Sequence, residues 1–456
     1  MKIVFLTAGA AGMYCGSCMH DNAIAKALRA GGDDVLLQPV YTPIRTDEAT
    51  IASDQVFFGG IHVYLLQQMP WLRWLPRWTR SWMDHPGLIR RLTRKAVKTD
   101  PAKLGELTLS MLRGEHGRQS EEVDRLVDWL ETDIQPDAII FSNLLIGGAI
   151  PTIRRRLPNT RLVVTLQGDD IFLDHLPNDA RAQAIVLCSE LAEQVDVFVS
   201  HSDFYRDKMG ALLGISPGRF DVHPLSIDLA PFDVAPLGLS PSDRSLASEA
   251  LAEPSEKSDN EFRIGYLARL APEKGLHHLV DAFLRIGNLP EHANVTLHAA
   301  GWLGEHNRAY LDELQSRVVS AGLSDRFVVH DSPDQSTKIK LLRQMDVLSV
   351  PAPYEDPKGL FLLEAMACGV PVVQPDHGAF TEVVQSTGGG ILFHPENTDA
   401  LIHELIRLKN DPDRRATLGE TGRQSVHQRH HIEAAAEHMR RTCQRSESPL
   451  AKQPEA

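Results

Sequence analysis

No run of 18 uncharged apolar residues occurs in the chain, so no transmembrane helix is expected. Cysteine is scarce and odd in number. Five in 456 residues argue against a disulfide framework and fit a reducing cytoplasm. Only one Cys-x-x-Cys occurs, Cys15-Gly16-Ser17-Cys18, and no second one completes a four-ligand zinc site, although His20 is close. Basic charge is in deficit: the formal net charge is -13, which argues against general nucleic-acid binding. Met1–Ala8 is too short for a leader and reads as a first strand, KIVFLTA. Internal repeats are absent. What remains is ordinary for a soluble globular protein, with 43% hydrophobic and 23% charged residues, and the length allows two or three domains.

The chain is organised around residues 346–384. Val347–Val350 is a short apolar run stopped by Pro351, and a polar loop runs from Ala352 to Lys358. Gly359 is the last flexible point before a helix pattern, Leu360–Cys368, which Gly369 ends. Val370–Val373 is a second strand. Short strands alternating with helices predict a parallel sheet, with ligands at the carboxyl ends of its strands. The helix is apolar on every face except for Glu364, so it reads as buried. A buried carboxylate must find a partner. Backbone donors or a neighbouring arginine would serve, and so would the hydroxyl pair of a ligand.

The pattern D-x-x-G-L-x-x-L-E-A-M-A-C-G-V-P-V-V resembles the donor-site signature of retaining glycosyltransferases of family 4, which have the GT-B fold. Asp356 and Glu364 carry its two acids with seven residues between them. The resemblance covers residues 262–395 well and the N-terminal half loosely. It implies that Glu364 binds the ribose hydroxyls of a nucleotide sugar and that Asp356 lies near the donor sugar. The chain departs from the pattern at three points: Asp356 stands for the usual Glu, Pro357-Lys358 for Gly-Phe, and Gly378-Ala379 for two glycines. Glu355 is an adjacent substitute for the missing Glu. Arg269 and Lys274 match the family's R-x-x-x-x-K-G diphosphate motif. They follow the strand Phe262–Leu267, and Pro272 suits the first turn of a helix running through Phe283, whose N-terminus favours anions.

The remaining chain fits two doubly wound halves. Lys2–Thr7 leads into the loop of Gly9 and Gly12 and then a helix from about Asp21 to Arg29, a layout that lets backbone amides approach a phosphate or sugar. Cys15 and Cys18 fall in that loop; small side chains near a substrate are the favoured reading, with a redox or metal role as the rival. Trp71–Lys98 holds four of the six tryptophans and eight Lys or Arg against one acid. It reads as an inserted helical subdomain, as a surface for an anionic membrane, or as part of an acceptor site. The strand ending at Leu166 runs into Gln167, Asp169 and Asp170. Related enzymes often have His near Gln167; Gln positions a sugar but cannot transfer a proton. Asp169 and Asp170 suit acceptor contact or helix capping equally. His201 reads as a helix-start residue. His377 and Gly378 follow the strand of the central stretch.

The resemblance therefore predicts an α/β GT-B fold of two Rossmann-like domains facing a cleft. Residues 1–230, with an insertion at 67–118, form the acceptor-side domain and 262–425 the nucleotide-sugar domain. A linker with a flexible insertion occupies 231–261, a helix at 426–445 returns to the first domain, and 446–456 is a disordered tail. The implied activity is retaining transfer of a hexose from a nucleotide-sugar donor to a glycan, lipid or small-molecule acceptor. No cofactor or metal is expected, and no Asp-x-Asp motif stands in the expected place. Arg269, Lys274, Asp356 and Glu364 are the expected catalytic set; Gly12, Gln167, Asp169, Asp170, Gly359, Leu360, His377 and Gly378 are the expected substrate contacts. The expected location is cytoplasmic, with peripheral membrane contact through residues 71–98 as an option. A nucleotide-sugar epimerase and a catalytically weak sugar-nucleotide binder remain as alternatives. A nicotinamide dehydrogenase fits poorly, because Gly9–Gly16 gives no clean G-x-G-x-x-G followed by an acidic ribose ligand.

Overall fold

The computed structural model describes residues 1–9, 15–53, 56, 101–233, 257–258 and 260–444. Gly12, the segment 71–98, most of the linker insertion and the tail lie outside the described residues.

The first sheet contains β1 (Lys2–Thr7), β2 (Asp34–Pro39), β3 (Ala138–Phe141), β4 (Arg161–Thr165), β5 (Val197–Ser200) and β6 (Phe220–Val222). All pairs are parallel, in the order β2-β1-β3-β4-β5-β6. The second contains β7 (Phe262–Leu267), β8 (Val295–Gly301), β9 (Phe327–Asp331), β10 (Val347–Leu348), β11 (Val372–Pro375) and β12 (Gly390–Phe393). It too is parallel, in the order β12-β11-β10-β7-β8-β9. In each sheet the first strand sits beside both its successor and a later strand. That creates a switch point between β1 and β3 and another between β7 and β10, where ligands bind in such sheets.

The strand sequences explain the layers. In β1, Ile3 and Phe5 join a core with Ile24 and Leu28, while Val4 and Leu6 point to the opposite core with Leu126 and Ile150. Alternation across a strand buried on both faces gives one continuous apolar run. Each of these four side chains contributes about 1.5–3 kcal/mol by its burial. The chain returns to the first domain at its end: helix Ile432–Cys443 places Ile432, Ala435, Ala436 and Met439 in the same core as Ile3 and Phe5. Arg440 Nε donates to Asp33 Oδ2 at 2.7 Å and fixes that helix. Of the 67–118 insertion, the helix Pro101–Leu112 is described, with Leu109 and Leu112 in the first domain's core. No helix among the described residues is long and apolar enough to cross a membrane.

Three local expectations need correction. The first helix spans Gly16–Ala30, not Asp21 onward, so Cys15 is its N-cap and Cys18 lies in its first turn. Its opening turn, Gly16-Ser17-Cys18-Met19, begins with Gly and Ser and lacks a capping Ser, Thr, Asp or Asn before it, so neither periodicity nor cap revealed it. The Pro272 turn is a separate 3-10 helix, Pro272–Lys274, divided from helix Leu276–Gly287 by Gly275. Gly275 has φ +73°, and a Cβ there would lie 1.9 Å from Pro351 O. The strand expected over Val347–Val350 pairs only at Val347 and Leu348.

Candidate functional site

The loop after β10 approaches the loop after β7 at the second sheet's switch point. Lys274 Nζ donates to Asp356 Oδ2 at 2.6 Å and also contacts the Tyr354 hydroxyl. Tyr354 donates to the same oxygen at 3.0 Å, and the Lys358 amide donates to Oδ1 at 3.0 Å. Asp356 is buried. Burial alone would raise its pKa, but the Lys274 ammonium prevails and holds the carboxyl below its ordinary value. Arg269 pairs with Glu273 at 3.1 Å. Glu355 faces Lys208 of the first domain at 3.0 Å.

Two glycines let this loop close. Gly359 has φ +84° and opens the helix Leu360–Ala367. Gly378 has φ +60°, and a Cβ there would lie 2.8 Å from Asp356 O. Ala379 N donates to that carbonyl at 2.9 Å. His377 precedes the helix Gly378–Thr387, with its Nε2 3.1 Å from Ala352 O.

Glu364 is held by a lysine rather than by an arginine or backbone amides. Lys338 Nζ lies 2.5 Å from Glu364 Oε1 and 2.5 Å from Asp47 Oδ2. Asp47 belongs to the first domain, so the triad bridges the cleft. Burial disfavours the ammonium, yet the two carboxylates outweigh it and raise its pKa. Sequence reasoning missed Lys338. Its signal was a lysine on the buried stripe of helix Gln335–Arg343, in register with Leu341 and Leu342.

A second bridge forms at Lys358. Its buried Nζ donates to Ser17 Oγ at 2.7 Å and to Gln167 Oε1 at 2.9 Å, both in the first domain. Gln167 Nε2 in turn donates to Asp21 Oδ1 at 2.9 Å and to Ser142 O at 3.2 Å. Leu360 and Pro357 lie close to the first domain here: a Cβ on Gly16 would meet Leu360 Cδ1 at 3.4 Å, and one on Gly168 would meet Pro357 Cγ at 3.7 Å. Burial lowers the Lys358 pKa against the opposing pull of Cys15, Asp21 and Asp356. Burial also lifts the Asp21 carboxyl to about 7. The signal for Lys358 was present in the sequence, as a cation between the two acids where the signature has an aromatic residue.

Asp169 and Asp170 are bonded mainly to groups of the first domain. Asp169 accepts from Leu144 N at 2.7 Å and from Gln167 N at 3.1 Å. Asp170 accepts from the Tyr205 hydroxyl at 2.7 Å and faces Lys208 at 3.0 Å. His201 precedes the Ser202 cap of helix Asp203–Leu213 and stacks edge-on against His20 at 4.5 Å. The geometry thus gathers Lys274, Asp356, Gly359, Leu360 and Gly378 at one switch point, with Gln167 joined to them through Lys358. Asp169 and Asp170 border that junction, Asp169 through the Gln167 amide and Asp170 through Lys208, which also faces Glu355.

Comparison with known proteins places this geometry in context. Residues 248–425 match the family described as Glycosyl transferases group 1. The lipopolysaccharide core biosynthesis mannosyltransferase LpsB of Rhizobium meliloti is 32% identical over 188 residues, 40% of this chain and 50% of that protein. This and two other curated relatives are matched over only 42–50% of their length. Sucrose-phosphate synthase from Thermosynechococcus elongatus superposes with a TM-score of 0.67 at 19% identity, covering 97% of this chain and 98% of the other. Anabaena HepE, solved in complex with UDP-glucose, gives 0.65 at 17% identity, covering 97% and 99%. The chain has the two-domain GT-B fold.

Proposed function

We propose that this protein is a glycosyltransferase that moves a hexose from a nucleotide-sugar donor with retention of configuration. The observation that carries the reading is the buried Lys274–Asp356 pair at the second sheet's switch point, with Arg269 on the same loop and Glu364 one helix further on. The group 1 match over residues 248–425 spans all four residues.

In this reading the donor's diphosphate meets Lys274 and Arg269. Fixed cations stabilise the charge that develops on the leaving group, and removing one such donor typically costs about a hundredfold to a thousandfold in rate. Asp356 acts as the counter-ion of Lys274 before the diphosphate arrives, and together with amides near Gly359 and Gly378 it orients the sugar. Glu364 exchanges part of its Lys338 contact for the ribose hydroxyls. The acceptor enters from the first domain beside Gln167 and attacks from the face that the diphosphate leaves, with the leaving phosphate taking its proton. That route assigns no nucleophile and no metal to the protein. A glycan, lipid or small-molecule acceptor and a cytoplasmic setting belong to the same proposal, as does acceptor delivery at a membrane surface met by residues 71–98.

The test is ligand protection. Melting temperatures are measured with UDP, GDP, ADP and their sugar conjugates, on wild type and Glu364→Ala. A ligand present at a hundred times its Kd adds about 2.7 kcal/mol to apparent stability. One nucleotide should stabilise wild type and lose its effect in Glu364→Ala. UDP is the first candidate because HepE was solved with UDP-glucose, and GDP follows because one relative is a GDP-mannose-dependent mannosyltransferase. No protection by any nucleotide at millimolar concentration overturns the reading.

A further inference from the structure

The Cys-x-x-Cys pair plays no part in the proposed transfer, yet the structure builds a distinct chemical environment around it. Cys15 is the N-cap of the 15-residue helix Gly16–Ala30, and Cys18 lies in its first turn. One helical turn separates their Cα atoms by roughly 5–6 Å, inside the range a disulfide spans. Cys15 is partly accessible, whereas Cys18 is 3% exposed and its sulfur lies 3.8 Å from Thr7 Oγ1. That division suits an attacking thiol and a resolving thiol.

Charge around the pair is asymmetric. Lys358 reaches in from the second domain and places its ammonium 2.7 Å from Ser17 Oγ, between the two cysteines in sequence. From the helix itself, Asp21 faces the pair, and its Oδ2 has no hydrogen-bond partner among the described residues. His20, His201 and His223 lie behind; burial holds His20 and His201 neutral, with His201 lowered to about 3. The neighbouring Cys18 thiol, with burial opposing, combines with the backbone amides and Lys358 to lower Cys15 to about 5. Cys18 is pushed up by Cys15 beside it and by burial. A helix N-terminus and an adjacent cation favour a thiolate.

We propose that Cys15 and Cys18 form a redox-active dithiol in the cleft that reduces small-molecule disulfides. The Cys15 thiolate attacks one sulfur of the disulfide, whose S–S bond breaks; a mixed disulfide forms and the first thiolate leaves, taking a proton from water. Cys18 then gives its proton to Asp21 and attacks the Cys15 sulfur, expelling the second thiolate, which takes that proton from Asp21. The protein loses two thiol hydrogens and two electrons, and the small disulfide becomes two thiols.

The experiment uses the full chain and oxidised glutathione as the probe. In wild type, intact mass should fall by two hydrogens, with the Cys15 and Cys18 peptides linked. Cys18→Ser should instead hold a glutathione adduct at Cys15. Iodoacetamide labelling of wild type across pH 5–9 needs no variant: Cys15 should react ahead of Cys368, with a midpoint at least two pH units below the ordinary thiol value of about 8.5. Lys358→Met should move that midpoint upward. Labelling of Cys15 only as the pH passes about 8.5, or a wild-type protein that keeps a stable glutathione adduct without linked peptides, overturns the proposal.

Discussion

Replacing Lys338 with methionine probes the bridge between the domains most directly. Its ammonium lies 2.5 Å from both Asp47 and Glu364, and all three side chains are at most 13% exposed. The substitution keeps most of the stem's packing and deletes the charge. Two carboxylates are then left facing each other out of water, and breaking a buried pair in this way costs about 3–5 kcal/mol. The measurement is a urea midpoint for wild type, Lys338→Met, Asp47→Asn/Glu364→Gln, and the triple variant. Once both carboxylates are amides, the buried ammonium has no anion in contact, and losing it strands no charge. In that background the same substitution should be neutral or stabilising. The difference, at least about 3–5 kcal/mol, is the coupling that the triad carries. Equal costs in the two backgrounds would refute the bridge, as would a wild-type cost under about 1 kcal/mol.

Lys274→Met should lower the rate of sugar transfer about a hundredfold to a thousandfold, read by steady-state kinetics with the donor found by ligand protection. Gly378→Ala forces a side chain to φ +60° against the Asp356 carbonyl, 2.8 Å away. The left-handed backbone alone costs about 1–2 kcal/mol, so its melting temperature should fall. Asp21 titrates near 7 in the folded protein, against about 3.9 when unfolded. Its folded pKa is raised, so the stability it contributes is complete below about 3.9 and is lost as the pH climbs to about 7. Asp21→Asn should therefore gain stability over wild type between pH 4 and 7, by at most about 4 kcal/mol, and hold that gain at pH 8. A melting curve at each pH checks the sign.

The parts of this molecule that follow local rules were legible in the sequence. Strands buried on both faces read as apolar runs, and Gly359 and Gly369 bracketed the helix that carries Glu364. The acids at 356 and 364, together with Arg269 and Lys274, were singled out from spacing and resemblance, and the fold brings Lys274 and Asp356 into contact. What escaped were partners set by tertiary proximity. Lys338 and Asp47 are 291 residues apart, and Lys358 and Ser17 are 341 apart. No periodicity links such positions. Asp169 was open to two readings, acceptor contact and helix capping, and only the folded chain shows that the amides of Leu144 and Gln167 donate to its two oxygens.

Lys338 and Lys358 have a common logic. Both leave the second domain and end on the first, and both are buried. Lys338 finds two carboxylates there; Lys358 finds a hydroxyl and an amide oxygen, with Cys15 and Asp21 as its nearest sources of negative charge. A buried ammonium without a formal anion in contact is the more costly of the two arrangements. The Lys358 bridge therefore depends on the ionisation of its neighbours in a way that the Lys338 bridge does not. Protonating or oxidising Cys15 removes a negative charge that supports Lys358, while Asp47 and Glu364 keep theirs. Any chemistry at the cysteine pair is consequently felt at the Gln167 junction first, on the first domain's side of the cleft.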